Sequence, residues 1–406
     1  MKVLLISGDY PPINSGEANH AFYLAQHFGK AGLSVSVLTS AIDGIPTDNG
    51  IAIYPIMRTW SWLEALKLTS LVRKIEPDVI LLVFLGGMYQ HHPMITFAAT
   101  LCRAVRSSVS FVTQIEALGI IVGERPLWTR LVRKMMAWCV NPAGTDYEYG
   151  SLLRDSNHVI VLSQTFQDRL VERLPEIREK CTLIPPAPLI RVSSEETASR
   201  EETRRSLGVA KDEFLLINYG QLYPSKGIET LLVAMHILTQ QGTAVRLIVV
   251  GGKLEHVRNR ESSVKSTDYM AKIRKLSKEY GIARRVIWAG HCPPEGSLAS
   301  RYFYAADACV LPFDNGVHLN NSSFVAAAAH CLPIITTRSE TTEDEFRDGD
   351  NVLLCPPKTP SSIAANVLAL IENPQLRRRL RDGVQEMVYK WYSWEGVIQR
   401  TIKTFF

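Results

Sequence analysis

The sequence predicts an α/β protein made of two doubly wound, Rossmann-like domains that face each other across a cleft. Three observations support this prediction. With 406 residues, the chain is longer than the roughly 250–300 residues at which a single hydrophobic core stops growing. In both halves, short apolar runs alternate with helical patterns, which is typical of parallel sheets covered by helices. A polar stretch, residues 191–205, separates the two halves.

The first half begins with a buried strand and a helix. The apolar run Val3–Ser7 is followed by a helical pattern over Glu17–Ala31, which Gly32 ends. Four more strands are predicted at Ser34–Thr39, Val79–Phe84, Ser108–Thr113 and Val159–Ser163. We therefore assign residues 1–190 to the first domain.

The same alternation restarts after the polar stretch, so we assign residues 191–390 to the second domain. Strands are predicted at Phe214–Tyr219, Arg246–Val250, Val286–Ala289, Ala308–Leu311, Ile334–Thr336 and Asn351–Leu354. Ligands of doubly wound sheets bind at the carboxyl ends of the strands. The loops that follow the strands are therefore where binding residues are expected.

Composition excludes several classes of protein. Lys and Arg number 45 against 40 Asp and Glu, a net charge of +5, which is too mild and too dispersed for a nucleic-acid-binding surface. The seven cysteines are odd in number and include no Cys-x-x-Cys pair, which favours buried thiols in a reducing compartment. The longest apolar stretch, Val79–Met88, is much shorter than the roughly 20 residues of a membrane span. The apolar start is interpreted as a strand and not as a signal peptide, so a cytoplasmic protein is expected.

Two of the loops place glycine or lysine where an anion can bind. In DYPPINSGEANH, Gly16 precedes a helix, so the backbone there can approach a phosphate. A tight turn that needs proline and glycine explains the same residues, and for this loop alone we favour it. In YGQLYPSKGIETLL, Lys226 lies between a strand and a helix, where its ammonium can meet a diphosphate. A solvated lysine is the alternative.

A third loop precedes a helix predicted to begin near Ser322. Asn320, Asn321, Ser322 and Ser323 are all residue types that favour the N-cap position. The N–H groups at a helix N-terminus lack partners within the helix and carry a partial positive charge, which suits a diphosphate. Ordinary capping is the alternative.

In this order, the three loops resemble the retaining glycosyltransferases of family 4. The segment G-Q-L-Y-P-S-K-G stands where these enzymes have G-R-L-x-x-x-K-G, and tyrosines and alanines lead to an aspartate and a proline over Tyr302–Pro312. HCLPIITT and DGDNVLLCPP continue the likeness, and the opening loop and the final YSWEGV extend it over nearly the whole chain. The resemblance implies the GT-B fold, with a C-terminal helix, residues 391–406, that packs back on the first domain.

The resemblance also implies roles for single residues. Lys226 would contact the donor diphosphate, with Gln221 in the place of a usual arginine. Gly290 and His291 would begin the segment that lines the nucleotide base. Gly16 would let the first-domain loop close over the donor phosphates.

Three residues depart from the family pattern. Aligned on the Leu-Pro of HCLPIITT, the usual glutamate near the donor sugar is replaced by His318, and the glutamate that holds the ribose is replaced by Ala326. The histidine usual after the fourth strand is absent from VTQIEALG, where Glu116 follows the strand. We therefore take His318 and Glu116 as the candidate catalytic residues.

The expected partners are a nucleotide-diphosphate sugar as donor and a glycan, lipid-linked or small-molecule acceptor. No His, Cys and Glu cluster with ligand spacing is visible, so neither a metal nor another cofactor is predicted. Residues 124–140, ERPLWTRLVRKMMAWCV, form a basic amphipathic pattern that suits a peripheral contact with an anionic membrane on its inner face. A helix that packs its apolar face on the core is the alternative, which we favour.

Two alternatives come from other functional classes. The two missing glutamates favour a non-catalytic relative that binds a nucleotide sugar or only a partner protein. A nucleotide-dependent dehydrogenase would share the sheet topology, but the chain lacks its Gly-x-Gly-x-x-Gly fingerprint.

Overall fold

The computed structural model describes residues 1–45, 50–118, 148–193, 200–252, 260–293 and 296–406. These residues form two compact units. The first consists of Met1–Pro185 together with Val397–Phe406, and the second of Pro186–Gly396. Each unit is built on one parallel sheet.

The sheet of the first unit has seven strands in the order β3-β2-β1-β4-β5-β6-β7. The strands are β1 Lys2–Ser7, β2 Ser34–Ser40, β3 Ala52–Met57, β4 Val79–Phe84, β5 Ser110–Ile115, β6 His158–Val161 and β7 Cys181–Leu183. The helices are α1 Gly16–Lys30, α2 Ala65–Ile75, α3 Ala98–Val105, α4 Leu152–Asp155 and α5 Gln164–Arg173. The strand order reverses between β1 and β4, which is where a doubly wound sheet binds its ligand.

The sheet of the second unit has six strands in the order β10-β9-β8-β11-β12-β13. The strands are β8 Phe214–Tyr219, β9 Val245–Val250, β10 Val286–Gly290, β11 Ala308–Leu311, β12 Ile334–Thr337 and β13 Leu353–Cys355. The helices are α6 Arg200–Ser206, α7 Ile228–Gln240, α8 Arg260–Glu279, α9 Leu298–Ala305, α10 Ser322–Ala329, α11 Pro360–Glu372 and α12 Pro374–Met387. A last helix, α13 Trp394–Lys403, follows them. Here the strand order reverses between β8 and β11.

The predicted α/β class is confirmed, and the strands with the most continuous apolar runs match best. The predicted strands Val79–Phe84, Phe214–Tyr219 and Ala308–Leu311 have the same bounds in the structure. β5 begins two residues later than predicted, because a turn in which the Val109 N–H donates to the Arg106 carbonyl follows α3. β3 and β7 were missed, since β3 is an edge strand that contains a proline and β7 has three residues.

Part of the polar stretch predicted as a surface connection is a packed helix. α6 begins at Arg200, and Arg204 in it is buried. The Arg204 guanidinium forms an ion pair with Asp307 at 3.0 Å and donates to the carbonyls of Ala305 and Glu213. The surface prediction is wrong there, because a guanidinium whose two terminal nitrogens both find acceptors can be buried among polar neighbours.

The described cysteines are free thiols, and all but Cys331 are buried. Among the described residues, no helix is long and apolar enough to cross a membrane.

Candidate functional site

The loop that follows β8 holds Lys226 beside the first turn of α10. The Lys226 ammonium donates to Ser323 Oγ at 3.4 Å. Gly220, at the end of β8, has φ of +129°. A Cβ at Gly220 would lie 2.4 Å from Ser323 Oγ and 3.9 Å from Lys226 Nζ. The structure thus brings two predicted donor-binding residues together, and a glycine allows their close approach.

Two aromatic rings fix the Lys226 ammonium in place. Its Nζ lies 5.2 Å from the ring centroid of Tyr223 and 4.9 Å from that of Phe313. The faces of aromatic rings attract cations. Within the part of the chain that the structure describes, no carboxylate lies within ion-pair distance of Lys226. Its charge therefore stays available to an anion.

The N-terminus of α10 lies at the same place and is not capped by its own N-cap side chain. Asn321 occupies the N-cap position, but it makes no side-chain bond to the helix. Its Oδ1 accepts from the backbone N–H of His318 at 2.7 Å instead. Asn320 precedes it, and Ser322 and Ser323 form the first turn. The alternative, ordinary capping by the Asn321 side chain, is therefore not found, and this side chain ties down the preceding loop.

The loops that follow β9 and β10 lie next to the loop that carries Lys226. The Leu222 N–H donates to the Gly252 carbonyl at 3.0 Å, and the Gly251 N–H donates to the Gly290 carbonyl at 2.8 Å. A Cβ at Gly252 would lie 3.1 Å from the Cβ of His291. The predicted residues Gln221, Gly290 and His291 therefore lie on adjacent loops at one edge of the sheet.

His318 lies between β11 and α10 and is held by a buried carboxylate. Its Nδ1 is 3.2 Å from Glu343 Oε2, and the Glu343 side chain is 2% exposed. Its Nε2 is 3.4 Å from Thr341 Oγ1. Ala326, the other departure from the family pattern, is 1% exposed and lies in the interior of α10.

In the first unit, Gly16 is the first residue of α1 and faces open space. The N-cap is Ser15, whose hydroxyl accepts from the Ala18 N–H at 3.0 Å. A Cβ built at Gly16 would meet no atom within 4 Å. No described neighbour therefore requires a glycine at this position.

Glu116 follows β5 and pairs with a buried histidine. Its Oε1 is 2.9 Å from His20 Nδ1, and His20 is 2% exposed. The Gln114 amide donates to the same carboxylate at 2.6 Å. His20 was missed in the sequence analysis, although it lies one helical turn after Gly16 on α1, a spacing that places two residues on one helix face.

The site of the first unit is rich in negative charge. Burial chiefly, together with the carboxylates of Glu116 and Asp9, raises the pKa of Glu17 to about 7. Burial also raises the pKa of Tyr89, and the carboxylates of Asp9 and Glu116 contribute to this increase. Asp9, Glu17 and Glu116 are therefore close enough to influence one another.

Metal-binding patterns are not assembled in the described residues, where no group of three His, Cys, Asp or Glu could hold an ion. The sequence does contain one Asp-x-Asp pattern, at Asp348 and Asp350. Asp348 accepts from the Leu354 N–H, and Asp350 accepts from the Arg347 guanidinium. Both carboxylates are therefore used within their own loop. The basic pattern at residues 124–140 lies outside the described residues.

Two family models match the chain. Residues 14–187 match the model of Glycosyltransferase Family 4, and residues 199–387 match that of Glycosyl transferases group 1. Together the two models cover both units.

Individual relatives agree with these models. A D-inositol 3-phosphate glycosyltransferase of Thermomonospora curvata is 26% identical over 50% of this chain and 45% of its own length, so the chain matches about half of it. An uncharacterized glycosyltransferase of Methanocaldococcus jannaschii is 23% identical over 100% of this chain and 98% of its own. The solved structure of Anabaena HepE in complex with UDP and glucose has a TM-score of 0.71 at 17% identity, and the alignment covers 100% of this chain and 99% of that one. The shared fold is GT-B.

Proposed function

We propose that this chain, which belongs to the group 1 glycosyltransferases and has the GT-B fold, transfers a sugar from a nucleotide-diphosphate donor to a hydroxyl of an acceptor with retention of anomeric configuration. One observation supports the donor class above the others. Lys226 lies 3.4 Å from Ser323 in the first turn of α10, without a carboxylate partner among the described residues. A lysine and a helix N-terminus together suit a diphosphate.

In the proposed reaction, the bond between the anomeric carbon and the diphosphate oxygen breaks as the acceptor oxygen bonds to the anomeric carbon. The acceptor proton passes to the departing phosphate on the same face of the sugar. Negative charge then develops on the leaving group, and fixed positive charge at that point lowers the barrier. Lys226 and the N–H groups of α10 would supply this charge without a metal.

The first unit would hold the acceptor. Glu116 can accept a hydrogen bond from an acceptor hydroxyl, while His20 and Gln114 keep its carboxylate in place. The negative charge of Asp9 and Glu116, which raises the pKa of the neighbouring Glu17, favours hydroxyl donors and disfavours an acceptor with a phosphate beside the reacting group. A glycan, a lipid-linked sugar with a distant phosphate or a neutral small molecule fits this requirement, and a lipid-linked acceptor would bring the enzyme to a membrane surface.

A release assay tests the proposal. The purified chain is incubated with UDP-, GDP- and ADP-sugars, with and without glycan acceptors, and free nucleoside diphosphate is measured. We expect release from at least one donor by the native chain, and release lowered about 100-fold in Lys226→Ala, as the loss of about 2.7 kcal/mol of leaving-group stabilisation implies. Circular dichroism and thermal unfolding of the variant serve as controls for folding.

A non-catalytic nucleotide-sugar-binding protein is the second candidate. The replacement of the two family glutamates by His318 and Ala326 favours it, since neither residue offers a carboxylate to a sugar or a ribose hydroxyl. Binding of a nucleotide sugar without release or transfer under any condition would support this candidate over the enzyme.

A further inference from the structure

The pairing of His318 with Glu343 is not used by any step proposed above. Glu343 is 25 residues away in sequence, on the segment between β12 and β13, and its side chain is 2% exposed while that of His318 is 18% exposed. A carboxylate is buried only where a partner satisfies it, because an unpaired buried charge is costly. The imidazole is thus held from its buried side and open on the other.

This geometry fixes which ring nitrogen carries hydrogen. An ionised carboxylate only accepts hydrogen bonds, so Nδ1, at 3.2 Å from Glu343 Oε2, carries the proton. In the neutral ring Nε2 is then an acceptor. The Thr341 hydroxyl lies 3.4 Å from Nε2, but it also lies 3.2 Å from Ser339 Oγ, which can accept its hydrogen and leave the Nε2 lone pair to a ligand.

The position of His318 relates this acceptor atom to the proposed donor site. Its backbone N–H donates to Asn321, the N-cap residue of α10, and its carbonyl accepts from the Asn321 N–H at 3.0 Å. His318 is therefore part of the turn that ends in the proposed diphosphate-binding N-terminus. A donor bound there places its sugar or its nucleoside next to this turn.

We propose that Glu343 is a positioning residue that makes Nε2 of His318 a hydrogen-bond acceptor for a hydroxyl of the donor sugar. The inference rests on the proposed function. The donor sugar is accordingly a neutral sugar with a free hydroxyl at this position. A uronic acid is disfavoured, because its carboxylate would lie against the lone pair of His318 Nε2 and close to the negative charge of Glu343.

A comparison of two ligands on four proteins tests this role. Dissociation constants of UDP and UDP-glucose, with GDP and GDP-mannose as a second set, are measured by calorimetry for the native chain, His318→Ala, Glu343→Met and the double variant. The Kd of the nucleoside diphosphate divided by the Kd of the matching nucleotide sugar isolates the contribution of the sugar to binding. We expect each single variant to lower that ratio about tenfold, the size of one lost hydrogen bond to a charged or strongly polarised group. The double variant should lose no more than either single one.

Several results would overturn the proposal. If Glu343→Met lowers this ratio further in a chain that already carries His318→Ala, Glu343 does not act through His318. An equal loss for nucleoside diphosphate and nucleotide sugar would mean a structural role only. Tighter binding of UDP-glucuronic acid than of UDP-glucose by the native chain would contradict the assigned acceptor. If the Glu343→Met variant does not fold, Glu343→Asp is used in its place. Its shorter carboxylate lies farther from His318, so the ratio should fall by less than in His318→Ala.

The outcome for the proposed function itself is separate. If the native chain binds neither nucleoside diphosphates nor nucleotide sugars, the proposed donor site is wrong and this inference falls with it. If nucleoside diphosphates bind and all four proteins keep the same ratio, only the role of the His318 and Glu343 pair is wrong.

Discussion

The sheets of the two units have the same strand order, apart from the additional edge strand β7 of the first, but the loops and helix starts beside them carry opposite charge. In the second unit, Lys226 and the N-terminus of α10 form a positive region next to Gly220. In the first unit, Glu116 follows β5 and Glu17 lies in the first turn of α1, with Asp9 close by. The difference shows that the sheet supplies only the place for a site, while the loop residues decide which ligand it accepts.

This contrast divides the proposed chemistry between the units. A diphosphate needs positive charge and N–H donors, which the second unit provides. A hydroxyl acceptor needs hydrogen-bond acceptors, which the first unit provides. The following changes test this division of roles.

The largest effect is expected for the charge of the second unit. Lys226→Ala should weaken the binding of nucleoside diphosphate about 100-fold, because a charge-assisted contact with a phosphate is lost. Lys226→Arg should retain most of the affinity. The matched control is Lys275→Ala, since Lys275 is 78% exposed on α8, and it should have no effect. Calorimetry with UDP and GDP gives the constants, and unchanged affinity in Lys226→Ala would remove the lysine from the site.

Two glycines, one in each unit, give the next effect. Gly220→Ala should lower the free energy of unfolding by about 2 kcal/mol, because the new Cβ meets Ser323 Oγ at 2.4 Å and the residue has a positive φ. Gly16→Ala should keep or raise stability, since its Cβ has open space.

Ligand binding separates the two glycines further. If the loop at Gly16 approaches donor phosphates, Gly16→Ala should still reduce donor affinity several-fold in the unchanged fold. Gly29→Ala, another position on α1 with open space, is the control. Chemical denaturation and calorimetry measure the two quantities, and equal destabilisation by Gly16→Ala and Gly220→Ala would contradict the contrast.

A smaller effect is expected for the acceptor side. Glu116→Gln should lower kcat/KM for the acceptor about tenfold, because a carboxylate is a stronger hydrogen-bond acceptor than an amide. The affinity for nucleoside diphosphate should not change. Glu386→Gln, on the exposed face of α12, is the control. A loss of donor affinity in Glu116→Gln would show that this carboxylate is not confined to the acceptor.

The smallest effect concerns the pH dependence of stability in the first unit. Burial, with Glu116 and Asp9, raises the pKa of Glu17 from 4.5 to about 7, so the folded chain holds a proton that the unfolded chain releases. The stability that protonated Glu17 contributes to the folded chain is therefore present below about pH 4.5 and is lost as the pH rises toward 7. Glu17→Gln should not lose this stability as the pH rises. Between pH 4.5 and pH 8, its free energy of unfolding should therefore rise by about 1–2 kcal/mol relative to that of the native chain.

Thermal unfolding of both proteins from pH 4.5 to pH 8 measures this difference. His27 and His330 have pKa values lowered to about 4, chiefly by burial. Their contribution to stability therefore rises with pH from about 4 to 6.5, and it is the same in the native chain and in Glu17→Gln. A constant difference between the two proteins over the whole range would mean that the pKa of Glu17 is not raised in the folded chain.

Much of the fold followed from local patterns in the sequence. β4, β8 and β11 were predicted with the bounds found in the structure, because strands buried on both faces are continuous apolar runs that turn residues interrupt. The helix starts at Ile228 and near Ser322 followed from their glycine, serine and asparagine signals. The loops that carry Lys226 and Ser323 could therefore be located along the chain.

What only the tertiary structure decided is which distant residues meet. Ser323 follows Lys226 by 97 positions and Glu116 follows His20 by 96, and no local pattern encodes such pairs. The contacts arise because parallel strands bring their carboxyl ends, and the helices that follow, to one edge of the sheet. Glu343 illustrates the limit, since its sequence neighbours are polar and only the packing of its loop buries it beside His318. Local patterns thus determined the elements and their order, and the folding of those elements determined which charges face each other.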